Sequence, residues 1–264
     1  MKGENMKKQY KILLVIAIIV MIVAIGILGY GYYKKATENV QNPIVTMEVE
    51  GFGTIKIELY PDIAPNTVAH FVKRVSEGFY DGLTFHRVIP DFMIQGGDKE
   101  GTGSGELDYA IPGEFIANGF TENTLKHERG VISMARADYG TGLTSYSYNS
   151  AGTQFFIMTE DTPTLDGYYA AFGRVIEGMD VVDAIANVEV VYRTEDLGEE
   201  EEAPKDEEGN TIASDRPVTP PVITKMTVET FGVDYGEPET VEAFDYYDWF
   251  YQTYGYDLES LYGN

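Results

Sequence analysis

Between residues 44 and 230 the apolar residues recur mostly at every second position, in short runs set between glycine-rich turns, and only two stretches break that period. Val45, Met47 and Val49 alternate with polar neighbours, Gly51-Phe52-Gly53 supplies a turn, and Ile55, Ile57 and Leu59 alternate with Lys56 and Glu58. This is the pattern of a β-hairpin with one buried face. From Pro65 the period changes: Val68, Phe71, Val72 and Val75 follow helical spacing, with Pro65 suited to the first helical position and Gly78 to the residue just past the end. Short strands then run to Val175, residues 179–186 repeat the helical spacing through Val182 and Ile185, and residues 222–228 read as one returning strand. Many short strands with two helices predict a mainly β fold, an antiparallel barrel or sandwich with helices over its open ends. A parallel sheet is disfavoured. The acidic, turn-rich stretch 194–215 reads as a solvated insertion in a domain spanning 44–230. It lacks the ordered alternation of oxygen ligands around a glycine that a calcium loop needs, so no metal site is expected there.

Residues 1–35 carry a different signal. No charge lies between Lys11 and Lys34, and residues 12–28 are almost wholly Ile, Leu, Val, Ala and Met. At ~1.5 Å per residue, a helix over this stretch spans the ~30 Å hydrocarbon core of a bilayer. Lys2, Lys7, Lys8 and Lys11 precede it and only Lys34 and Lys35 follow closely, which leaves the N-terminus in the cytoplasm and exports the remainder. Tyr30, Tyr32 and Tyr33 fall where an interfacial aromatic belt belongs, and no small-residue cleavage pattern follows the apolar run. An uncleaved single-pass anchor, joined by a polar linker over 36–43 to an extracytoplasmic domain, is therefore preferred to a cleaved signal peptide. The formal net charge of -24 argues against nucleic acid as a partner, because phosphate binding needs a positive surface. The absence of cysteine removes disulfides, thiolate chemistry and cysteine-ligated zinc together.

The informative block is Phe85-His86-Arg87-Val88-Ile89-Pro90-Asp91-Phe92-Met93-Ile94-Gln95-Gly96-Gly97-Asp98, followed by Gly101-Thr102-Gly103. Here the sequence resembles the cyclophilin family of peptidyl-prolyl isomerases. The resemblance continues in order through Met134-Ala135-Arg136-Ala137, Gln154-Phe155-Phe156-Ile157, Leu165-Asp166-Gly167, Phe172-Gly173 and Gly178-Met179. It implies a closed eight-stranded antiparallel β-barrel capped by two α-helices, with the site on the barrel's outside and no cofactor. It also implies that Arg87 is the catalytic arginine, with Gln95 as a polar group beside it. Phe92, Met93, Phe156 and Leu165 would line the proline pocket and Gln154 would stand next to it. Ala135 and Arg136 would lend backbone to the peptide groove, with Ala137 and Gly101 on the same rim.

That inventory suits the chemistry. Rotation about a peptide bond meets a barrier of ~18–20 kcal/mol because amide resonance is lost at the twisted geometry. No bond breaks, so neither nucleophile nor general base is required. On twisting, the prolyl nitrogen regains a localised lone pair; a guanidinium in a partly desolvated cleft can donate to it while an apolar pocket holds the ring. Arginine serves better than lysine because it stays charged and presents a planar fork of donors. Phe85, Ile89 and Phe155 read as core. His86 is two-fold out of phase with Arg87, which points it away, and the reaction has no proton for it to move. The glycines at 96, 97, 101 and 103 follow a strand without opening a helix, so turn geometry explains them better than a phosphate loop.

The chain departs from the family pattern at three places. Thr164 stands where a tryptophan often precedes the Leu-Asp-Gly run, so binding of cyclosporin should be weakened. Tyr169 occupies a position that is often histidine and keeps an aromatic face with a polar tip, so activity should survive with altered preference. The connection 138–153 is longer than usual and holds Tyr139, Tyr146 and Tyr148; it either extends the peptide groove or is a mobile surface insertion. The tail, 231–264, is acidic yet rich in Tyr, Phe and Trp. Docking on the barrel, a short helix that meets a partner, and a disordered tail all stay open. The activity implied is isomerisation of X-Pro bonds in exported proteins, with proline-containing peptides and unfolded exported chains as partners. The alternative is a proline-segment-binding chaperone or scaffold module without significant catalysis.

Overall fold

The computed structural model describes residues 16, 18–21, 23–27, 41–193, 203–205, 209 and 211–254. Two compact units divide at residue 41/42. In the first, residues 16, 18–21 and 23–27 are helical. Among the described residues no helix is long and apolar enough to cross a membrane, and the ends of the expected anchor, most of the linker and the acidic run 194–202 lie outside them.

The second unit is built on eight strands: β1 (Ile44–Val49), β2 (Gly53–Leu59), β3 (Thr84–Ile89), β4 (Met93–Asp98), β5 (Val131–Met134), β6 (Phe155–Met158), β7 (Ala171–Glu177) and β8 (Ile223–Glu229). They form one antiparallel sheet in the order β3-β4-β6-β5-β7-β2-β1-β8. β1 and β2 form the expected hairpin, with Val45 opposite Ile57 and Met47 opposite Ile55; Gly51 turns the chain at φ +73°, a left-handed conformation that suits glycine. The sheet curls into a half-barrel. Its edges approach where Gly82 N–H donates to the Ile223 carbonyl (2.7 Å) and Ile223 N–H to the Leu83 carbonyl (2.8 Å), and one isolated bridge pairs Thr84 with Val222. No continuous ladder joins β3 to β8 among the described residues, so the expected full closure is reduced to that single seam.

Helices α1 (Pro65–Ser76) and α3 (Met179–Ala186) occupy the places that periodicity assigned to them. The α1 face made by Val68, Phe71, Val72 and Val75 is buried in the main core, where the Phe71 ring centroid lies 5.0 Å from Phe172 and 5.6 Å from Phe155. Two further helices, α2 (Thr144–Tyr148) and α4 (Tyr246–Tyr254), lie in the long connection and in the tail.

Both faces of the central strands are apolar, which sorts the core into two clusters. Phe85, Ile94, Ile132 and Phe155 point into the half-barrel, whereas Met93, Val131 and Phe156 belong to a second cluster on the other face. Because side chains alternate along a strand, Phe155 and Phe156 must serve opposite faces. The second cluster is ringed by partly buried Phe92, Ala135, Leu165 and Tyr169.

Candidate active site

A cleft of about 350 Å³ opens over this outer cluster. Its floor is apolar, from Phe92, Met93 and Phe156, with Leu165 and Tyr169 at one side. Arg87, Gln95, Ala135 and Arg136, also expected, line it as well. Adjacent strands bring these together: Arg87 on β3 is registered with Gln95 on β4, and Gln95 with Phe156 on β6. Gln154 and Ala137 line a neighbouring cavity that shares Gln95, Ala135 and Arg136 with the cleft. Gly101 lies outside both, in the turn after β4; the expected rim position is taken by Thr102, Gly103 and Ser104. Thr164 is exposed and touches neither.

Polar groups at the cleft form a directional chain. Arg87 Nη1 lies 3.5 Å from Gln95 Oε1, Gln95 Nε2 donates to Gln154 Oε1 at 2.9 Å, and Gln154 Nε2 donates to the Gly103 carbonyl at 3.1 Å. Each amide thus has its oxygen and nitrogen assigned by a neighbour. The Arg87 side chain remains 39% exposed at the mouth of the cleft. Gly103 is presented by a turn wound around Asp98, whose Oδ2 accepts from Thr102 N–H (2.8 Å) and Gly103 N–H (2.6 Å). Burial pushes the Asp98 carboxyl up, but donation from the backbone of Gly103, Thr102 and Glu100 outweighs it and holds the group below its ordinary value.

Three participants were not legible in the sequence as site residues. Asp215, in the part of the insertion nearest β8, has its Oδ2 3.9 Å from Arg87 Nε and its Oδ1 3.1 Å from Arg193 Nη1. It is buried, and its carbonyl accepts from Val88 N–H on β3 (2.9 Å). With Ala213 at the cleft wall, the end of the insertion is a docked segment and not a solvated one. His86 is the second. A bulge between Phe85 and Arg87 breaks the strict alternation, so His86 is buried and lines the same cleft as Arg87, contrary to the expectation that it points away.

His127 is the third. Its Nε2 lies 3.1 Å from Ser133 Oγ and its Nδ1 3.3 Å from Asp166 Oδ1, an order that resembles a nucleophilic triad. Ser133 and His127 are both fully buried, however, and the imidazole stacks on Phe156 at 6.0 Å and meets Tyr169 edge-on at 6.4 Å. No substrate carbonyl can reach that hydroxyl. The imidazole instead packs against two of the cleft's rings, Phe156 and Tyr169. Burial keeps His127 below the ordinary histidine value despite the Asp166 carboxylate. Asp166 is part of the Leu-Asp-Gly run, which is the one sequence sign of this support.

Residues 44–228 match the family model described as cyclophilin type peptidyl-prolyl cis-trans isomerase. The chain is 45% identical over 143 residues to peptidyl-prolyl cis-trans isomerase B of Bacillus subtilis, covering 54% of this chain and 90% of that protein. It is 46% identical over 137 residues to a peptidyl-prolyl cis-trans isomerase of Synechococcus elongatus, covering 51% and 83%. Among solved structures, a cyclophilin type isomerase of Cryptosporidium parvum, crystallised in the presence of the dipeptide Ala-Pro, superposes with a TM-score of 0.52 at 27% identity, covering 70% of this chain and 98% of that one.

Proposed function

From the premise that this chain belongs to the cyclophilin type peptidyl-prolyl cis-trans isomerases, we propose that its X-Pro substrates turn in the outer cleft beside Arg87. Peptidyl-prolyl isomerisation is the activity of the family and of the named relatives. The observation that carries the site is the juxtaposition of a half-exposed guanidinium with a floor of Phe92, Met93 and Phe156. The proline ring lies on that floor. As the amide twists, its nitrogen becomes an acceptor, and Arg87 donates to it from a position that Gln95 and Asp215 define. Planar cis and trans forms lack that lone pair, so the interaction favours the twisted form over both. Ala135 and the Gly103 turn hold the flanking peptide.

Arg87→Ala should lower kcat/KM for an X-Pro peptide by about 10²- to 10³-fold, within the range that loss of one preorganised donor produces. The urea midpoint should move little, because the side chain is not part of the core. If the variant turns peptide over as fast as wild type, Arg87 is not the catalytic donor. The holdase alternative would show as peptide binding without acceleration in the wild-type protein.

The N-terminal segment supports a proposal for where the enzyme works. We place residues 12–28 across a cell membrane with the N-terminus in the cytoplasm, on the strength of the uncharged run and the lysine bias, and the isomerase unit outside, acting on exported chains. Thr164 in the place of an indole argues for weak cyclosporin binding. Protease added to intact cells should remove the isomerase unit; protection of that unit in intact cells, with digestion only after lysis, would overturn the topology.

A further inference from the structure

The larger of the two cavities, about 740 Å³, adjoins the proline cleft, and its outer wall is Phe244, Asp245, Tyr246 and Tyr247, which lie beyond the family match at 44–228. This arm is held in place. Val241 and Ala110 exchange backbone hydrogen bonds at 2.8 and 3.0 Å, Asn66 exchanges two with the Glu239 backbone (2.6 and 3.0 Å), and Lys73 pairs with Glu237. The arm then meets the long connection through its rings: Phe244 stacks on Tyr146 with centroids 4.0 Å apart, and Tyr139 lies edge-on to Phe244 at 4.9 Å and parallel to Tyr246 at 5.9 Å.

Two carboxylates line the same cavity, Glu106 on the turn after β4 and Asp245 on the arm, both on exposed residues. Asp245 caps α4, accepting from Asp248 N–H at 2.8 Å, and its charge joins burial in raising the Tyr139 hydroxyl. The cation at this wall, Arg136, is already engaged: its guanidinium sits over the rings of Tyr169 (4.5 Å) and Tyr148 (5.0 Å) and donates to the Tyr168 and Ala137 carbonyls. A recess lined by the aromatic residues Tyr139, Phe244, Tyr246 and Tyr247 together with two carboxylates favours a cation, since ring quadrupole and carboxylate can attract it together.

We infer that the arm-walled cavity is a specificity site for a lysine or arginine side chain of the client, lying next to the proline in the bound segment. This rests on the outer cleft being the proline site, because the two cavities share Gln95, Gly103, Ser104, Ala135 and Arg136 and so receive one continuous peptide. The arm thereby converts a general isomerase cleft into one that prefers basic stretches.

The test uses the full chain and labelled proline peptides in which Lys, Ala or Glu is walked through the three positions on each side of the proline. Dissociation constants read by fluorescence anisotropy should show, at one of these positions, Lys bound about tenfold more tightly than Glu. Asp245→Lys combined with Glu106→Lys should invert that ratio, and Phe244→Ala should reduce it. Glu229→Gln, an exposed acid on β8 off the cavity, should leave it unchanged, which separates a local site from the general field of an acidic protein. Equal Lys and Glu affinities at every position, or a ratio unaltered by the double charge reversal, would overturn the inference. Turnover of the Ala peptides with and without Arg87→Ala reads the isomerase site separately, so failure there leaves the affinity ratios still decisive.

Discussion

Arg87, the proposed catalytic donor, illustrates how little of such a residue's setting is local. Its neighbour in register, Gln95, could be read from the sequence block, but its anionic partner Asp215 arrives from the far side of an insertion that composition marked as solvated. Asp215 is buried at 8% exposure and holds φ +61°, an uncommon conformation for a residue with a side chain, so its position is imposed by surrounding contacts. Those contacts include Arg193, the Val88 and Tyr192 backbones and Arg87. Asp215→Asn keeps the size and removes the charge. It should cost about 1–3 kcal/mol of stability through the charged hydrogen bond to Arg193 and lower kcat several-fold, with KM less affected because the proline floor is untouched. Urea unfolding and steady-state kinetics on one X-Pro peptide read the two effects. A kcat equal to wild type would show that Asp215 anchors the insertion without orienting Arg87. His86 teaches the complementary lesson: alternation placed it wrongly because a bulge is a register event that residue type alone does not announce.

At the scale of elements, the segment leading into β6 shows how the core delivers a candidate site residue. Gly152 and Thr153 precede Gln154, and each is gripped from beneath. His70 on α1 donates Nε2–H to the Gly152 carbonyl at 2.7 Å, Tyr80 donates to the Thr153 carbonyl at 3.0 Å, and Thr153 Oγ1 donates to the Gly97 carbonyl at 2.8 Å. A carbonyl can only accept, so His70 must carry its proton on Nε2, leaving Nδ1 to accept from the Tyr109 hydroxyl at 3.4 Å. Burial, with Arg74 and Lys73 nearby, lowers His70 to about 4 despite the Gly152 bond. The fold therefore prefers the neutral ring, whereas the unfolded chain titrates near ~6.5. Stability from this group is complete above about pH 6.5 and is lost as pH falls toward 4, by about 3 kcal/mol in all. His86 and His127 are lowered in the same direction by burial, while Asp98, lowered by backbone donors, adds a loss only below its unfolded value of ~3.9. Urea midpoints should thus fall from pH 7 to 4, and His70→Gln should flatten part of that slope. An identical slope in wild type and variant would remove His70 from the account. The periodicity that predicted α1 fixed its buried face correctly, but a histidine inside that face gave no sign of which distant carbonyl it serves.

For the whole molecule, the strands and the two capping helices were legible because alternation and helical spacing are local signals carried by Val45, Ile57, Phe71 and their neighbours, whereas Phe92, Met93 and Phe156 were singled out only by the resemblance of their blocks to the family. The arm was not legible. Its acidic and aromatic composition was compatible with docking, a partner helix or disorder, and the choice is made by Phe244 meeting Tyr139 and Tyr146 across the chain. If the arm-walled cavity takes a client side chain as inferred above, that docking sets the charge the client meets. With a formal net charge of -24, the molecule attracts basic segments over distances set by salt: the field reaches ~30 Å at 0.01 M ionic strength and ~8 Å at 0.15 M. Long-range steering acts on the association rate, whereas a lysine seated among rings and carboxylates acts on the dissociation rate. Stopped-flow binding of a Lys-bearing proline peptide should therefore show an association rate that falls several-fold across this salt range while the dissociation rate changes less. An uncharged peptide of the same length should show neither trend. Should the Lys peptide associate at a rate independent of salt, the acidic surface does not guide clients, and whatever preference the arm provides must arise only after contact, within the cavity itself.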